Sequence, residues 1–177
     1  MKEGLVAFQI PVYGIEQGVH SYHFHCGDSF FASFEKSLIE NGEFEVDMSL
    51  EKKSDTIELA FSIHGNIMTN CDRCTARIQL PIQGDAELML KYAEHEKEED
   101  EIVFISRDRD TYDVSEFLHQ SIELLLPMSN TYDCENDNPR PCDDRVLEVL
   151  NEQSKKTKTK EEENPLWDQL KNLNLDH

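Results

Sequence analysis

Cys71 and Cys74 stand two residues apart in "NCDRCTARIQLPIQG", residues 70–84, and alternating apolar positions run on directly behind them. Two thiols at that interval suit a dithiol redox couple, half of a metal site, or simple packing. Redox pairs place the nucleophile at the start of a helix, where peptide dipoles favour the thiolate. The segment behind Cys74 is patterned for a strand, so that support is missing. A turn between strands instead lets two thiolates point to one side, at a spacing that tetrahedral zinc accepts.

A structural zinc site needs two more ligands. The other neighbouring cysteines are Cys134 and Cys142 in "MSNTYDCENDNPRPCDD", a stretch with two prolines and no apolar period, where a thiol has no core to fill. Seven residues separate them, a wider interval than structural zinc pairs usually show, and Asp133, Asp143 or His95 are possible replacements for one ligand. Zinc on Cys71, Cys74, Cys134 and Cys142 and two unliganded thiol pairs both remain open on spacing alone. Cys26 lies on the apolar face of a strand pattern and reads as a core residue. His23 and His25 share the other face of that strand, where a polar outer surface accounts for them as well as chelation does.

Catalytic arrangements are not legible. There is no nucleophile elbow, no glycine-rich loop leading into a helix, and no His-Glu-x-x-His, so the expectation is a protein that is not an enzyme.

These groups must be held by an α+β domain with a mainly antiparallel sheet. "GLVAFQIPV" and "HSYHFHC" read as strands, and Tyr22, Phe24 and Cys26 share one face of the second. Asp28 to Gly42 reads as a helix of about three turns, capped by Asp28, striped by Phe31, Phe34 and Leu38, and stopped at Asn41-Gly42. "EFEVDMSL" and "TIELAFSIHGNI" alternate strictly and form an expected hairpin. Positions Ile78 to Tyr92 keep one apolar parity through a long, bent strand expected at the sheet edge, with Pro81 outward. "EHEKEEDE" reads as a solvated turn and "IVFIS" as a returning strand. Asp113 and Glu116 make a capping-box pattern before a helix over 114–126, with Val114, Phe117, Leu118, Leu124 and Leu125 on its inner face. The expected organisation is a single domain over 1–152, a disordered linker over 153–163, and a short amphipathic segment over 164–177 whose Leu166, Trp167 and Leu170 dock on something.

Acidic side chains number 37 against 17 basic ones, a formal charge of −20. Such a field repels phosphate backbones and attracts basic proteins and metal ions. The first residues lack the apolar run of a signal peptide and no later stretch approaches a membrane span, so a cytoplasmic protein with no membrane partner is expected. Five cysteines in a reducing compartment are not a disulfide framework.

The order of features resembles the YceD family, the large ribosomal RNA subunit accumulation proteins. "CDRCTARIQLPI" is similar to the family's Cys-x-Arg-Cys turn leading into a strand. "DVSEFLHQSIELLLPMSN" resembles its acidic-capped helix ending in Leu-x-Leu-Pro, and "NPLWDQLKNL" its closing segment with spaced leucines. The Cys134 to Cys142 interval departs from the tighter spacing of the family's later cysteines. The resemblance implies a non-enzymatic factor supporting production or stability of the large-subunit ribosomal RNA.

Charge adds that an acidic assembly factor shields a basic ribosomal protein, or a pre-ribosomal particle, more readily than it grips RNA. The rival readings are a direct RNA-binding module using Arg73 and Arg77 beside the cysteine turn, and a zinc- or thiol-dependent enzyme.

Overall fold

The computed structural model describes residues 6–99, 102–131 and 137–161. The chain divides into two compact units, Met1–Thr69 with Ile78–Asn130, and Asn70–Arg77 with Thr131–His177.

The first unit is built on strictly alternating strands. After a short 3-10 turn at Val6–Phe8 come β1 (Gln9–Pro11), β2 (Gly18–Cys26), the single-turn α1 (Asp28–Phe31), β3 (Gly42–Lys52), β4 (Thr56–Asn70) and β5 (Arg77–Ala93). They are followed by β6 (Lys97–Glu99), β7 (Ile102–Ser106), β8 (Thr111–Asp113) and α2 (Ser115–Leu124). A six-stranded sheet has the order β2-β3-β4-β5-β7-β6, and β1 pairs with β8 in a separate two-stranded sheet. The fold class is therefore α+β with a mainly antiparallel sheet, as the alternation requires.

One sheet face is the core. Phe44, Val46, Met48 and Leu50 of β3 lie beside Ile57, Leu59, Phe61 and Ile63 of β4, all buried, in the register Val46↔Ile63 and Met48↔Phe61. Each such side chain contributes about 1.5–3 kcal/mol through burial. α2 covers this face, with Phe117 against Phe61 at 5.2 Å between ring centroids and with Leu118 and Ile122 fully buried. Cys26 is also fully buried, and desolvation followed by the charge of Glu45 pushes its thiol up to about 12. It stays protonated and acts as a small apolar group.

Several expected elements differ. The helix expected over 28–41 is one turn long. Beyond it the backbone bonds from Ser33 to Phe30 and from Phe34 to Phe31 span three residues, and Ser33 Oγ donates back to the Ser29 carbonyl at 2.9 Å. Hydroxyl competition of this kind weakens regular helix. Aromatic packing takes over: Phe34 stacks on His119 of α2 at 4.0 Å, and Phe30 and Phe31 meet edge to face, while Leu38 is 74% exposed. The Asp28 side chain accepts from the N–H of Gly42 at 2.9 Å, so it ties α1 to the start of β3 instead of capping the helix. Gly42 opens β3 and does not adopt the left-handed stop.

β5 is not an edge strand. It lies between β4 and β7 and pairs in parallel with β7, Met89↔Ile102 through Ala93↔Ser106. β6 takes up part of the acidic run expected as a turn and forms the sheet edge, antiparallel to β7. Before α2, the carboxylate of Asp113 accepts from the N–H of Ser115 at 2.9 Å, while Val114 takes the N-cap position with no side-chain cap, in place of the expected Asp113 and Glu116 capping box. Leu124 turns outward at 86% exposure, and Ile122 takes the inward place.

In the second unit α3 (Asp144–Glu161) runs through most of the stretch read as linker. Leu166, Trp167 and Leu170 lie outside the described residues. Among the described residues no helix is long and apolar enough to cross a membrane.

Candidate functional site

The cysteine turn belongs to the second unit. Between β4 and β5 the N–H of Cys71 donates to the Ala76 carbonyl at 2.8 Å, and the N–H of Thr75 to the Cys71 carbonyl at 2.8 Å. Thr75 takes a left-handed φ of 60°, which closes the loop on itself. Cys71 and Cys74 are both buried as a result. Cys142 reaches the Cys74 thiol from the segment that leads into α3. Asp143 separates it from α3; Asp143 Oδ1 accepts from the N–H of Arg145 at 3.0 Å and the Asp143 carbonyl accepts from Leu147 at 3.2 Å.

Cys74 sits where these pieces meet. Burial pushes its thiol up, but the backbone N–H groups of Ala76 and Asp143, with the side chains of Cys71 and Cys142, outweigh that and hold it below the ordinary cysteine value. Cys71 and Cys142, two of the other expected ligands, therefore both reach the Cys74 sulfur. Cys134 and Asp133 lie outside the described residues, and among the described residues no group of three or more His, Cys, Asp or Glu is arranged to hold a metal ion. His95 is exposed, as are Arg73 on the turn and Arg77 at the start of β5.

A second constellation lies on the uncovered sheet face. His23 and His25 of β2 alternate with three carboxylates of β3. His23 Nε2 is 2.8 Å from Glu45 and its Nδ1 2.9 Å from Asp47, while His25 Nε2 is 3.1 Å from Glu43 and its Nδ1 2.9 Å from Glu45. An imidazole with an acceptor at both nitrogens satisfies both only as the cation. The hydrogen bond to Asp47, supported by Glu45 against some desolvation, raises His23 above its ordinary 6.5. The hydrogen bond to His25, with His23 adding, holds Glu45 below 4.5.

The signs give a pH window. The His23 contribution is complete below about pH 6.5 and is lost as pH rises through the folded value, and the Glu45 contribution is present above about pH 4.5 and lost as pH falls through its folded value. Thermal unfolding of wild type and His23→Gln should therefore differ most near about pH 5–6 and converge as pH rises through the raised folded value of His23. Full exposure keeps the difference small, and a difference independent of pH would contradict the ladder.

The rest of this open face was not expected as a site. Outward Ser49 and Ala60, directly opposite each other in β3 and β4, are small and leave a groove of about 460 Å³. The signal was present in the alternation of "EFEVDMSLEKK", which places every second residue outward, most of them acidic.

An acidic α+β sheet protein carrying a thiol-rich turn is the class that fold and site define. The family model described as large ribosomal RNA subunit accumulation protein YceD matches residues 59–174, from within β4 through the cysteine turn and α2 to the C-terminal segment. The chain belongs to that family. No curated protein and no solved structure matches it.

Proposed function

We propose that the protein acts in the cytoplasm to support accumulation of the large-subunit ribosomal RNA by binding a basic ribosomal protein or a pre-ribosomal particle, without catalysing a reaction. Family membership supports the ribosomal role. The choice of a basic partner rests on how the chain spends its own cations. Arg107 pairs with Asp55 at 3.2 Å, Arg109 with Glu96 at 3.1 Å, and Lys53 with Glu58 at 2.6 Å. A surface that neutralises its own cations while carrying −20 overall offers little to a phosphate backbone and much to a basic protein. Zinc on Cys71, Cys74, Cys142 and Cys134 would serve as a structural tie in this reading, since four thiolates close a tetrahedral site and leave no open position for chemistry.

Direct RNA binding is the second reading, favoured by the exposure of Arg73 on the turn and Arg77 at the start of β5. A single pull-down of the full chain at physiological salt, read for both protein and RNA, separates the two. The expected result is enrichment of a basic ribosomal protein, with binding that weakens but persists from about 50 to 300 mM salt. Deletion of the gene should lower mature large-subunit ribosomal RNA. Normal subunit ratios in the deletion strain would refute the assembly role, and capture of RNA free of ribosomal protein, with a steep salt dependence, would favour the second reading.

A further inference from the structure

The uncovered face of the six-stranded sheet holds one depression with walls of defined chemistry. At its centre Ser49 and Ala60 face each other across β3 and β4. At one end Glu51 stands directly opposite Glu58, an unfavourable pairing of like charges. The protein's own Lys53 relieves it, with Nζ 2.6 Å from Glu58 and 3.6 Å from Glu51. On the other side is β5, where Glu87 is exposed and Met89 lies beside Ile102 in the parallel register with β7. Among the described residues no cation pairs with Glu87.

We infer that this groove docks an extended basic polypeptide segment, with an apolar side chain over Ala60, Met89 and Ile102 and a flanking lysine or arginine on Glu87. The inference rests on the proposed basic partner and gives it a place and a local chemistry. Lys53 already illustrates how an ammonium group is received at the Glu51 and Glu58 end. The apolar floor supplies what charge alone does not: contact that survives salt, because exposed ion pairs are screened within about 8 Å at physiological ionic strength.

Other occupants fit worse. A second copy would bring two charges of −20 together and set carboxylates against carboxylates. A nucleic acid would place phosphates on Glu51, Glu58 and Glu87.

The test measures binding of a labelled Lys-Leu-Lys-Leu-Lys peptide to the full chain by fluorescence anisotropy. Ala60→Phe fills the groove without changing charge and should weaken binding by about tenfold, while Glu87→Lys should weaken it several-fold and steepen its loss with salt. Glu35→Lys, at an exposed acid following α1, makes the same change in net charge away from the groove and should bind like wild type. If Ala60→Phe does not fold, Glu87→Lys carries the test alone. Wild-type binding that survives both substitutions would overturn the groove and leave the basic-partner reading standing. A wild-type chain that ignores the peptide and every ribosomal protein but retains RNA would overturn both.

Discussion

Gly65→Ala should cost about 3 kcal/mol, at the upper end of overpacking effects, and lower the melting temperature by roughly 6–12 °C in a chain of this size. Gly65 faces Phe44 across β3 and β4. A methyl group there would lie 2.4 Å from the backbone carbonyl oxygen of Glu43 and 2.4 Å from the Phe44 ring. Neither neighbour can yield cheaply. The carbonyl belongs to the paired strand, and Phe44 is fully buried with its ring 5.7 Å from that of Phe31. Gly84→Ala is the internal comparison, because a methyl group there comes 2.3 Å from Leu125 Cδ2, the far end of a flexible side chain. That end can rotate, so the cost should stay near 1 kcal/mol or below. Denaturant unfolding of both variants measures the contrast, and equal losses would mean that Phe44 moves as freely as Leu125.

Residues whose environment is set by their own strand were legible in advance. Phe44, Val46, Met48 and Leu50 had to share a face because a strand has a period of two, and the α2 stripe offered an apolar face to cover them. Legibility failed where distant residues decide. Phe31, Phe34 and Leu38 have helical spacing, but Phe34 gains more from stacking on His119, which lies 85 residues away by sequence number. The parallel pairing of β5 with β7 was hidden because such pairs usually need a long crossover. Here the chain passes outward along β6 first and then returns with β7 between β6 and β5. In the cysteine cluster the Cys71 and Cys74 turn was readable locally. The zinc reading set Cys142 beside that turn, but how it arrives was not readable, because that depends on where α3 starts at Asp144 and on which backbone groups meet the Cys74 sulfur.

Cys74→Ser tests that cluster most severely. If zinc ties the second unit together, protein purified without chelator should carry one zinc per chain, and Cys74→Ser and Cys142→Ser should each lose it. Structural zinc contributes on the order of 10 kcal/mol in zinc-finger peptides, and a segment as short as the 71–76 turn has little core of its own to replace it. The local signature is amide exchange: the N–H groups of Cys71 and Thr75, bonded to Ala76 and Cys71 at 2.8 Å each, should lose protection on chelation along with the first turn of α3. Cys26→Ser is the control. It buries a hydroxyl where the native thiol is held protonated, costing about 1–3 kcal/mol, yet it should keep zinc because Cys26 lies in the sheet core. Protein free of zinc, with Thr75 equally protected before and after chelator, would remove the metal from the account and leave Cys74 as a thiol held by the N–H groups of Ala76 and Asp143 and by the side chains of Cys71 and Cys142.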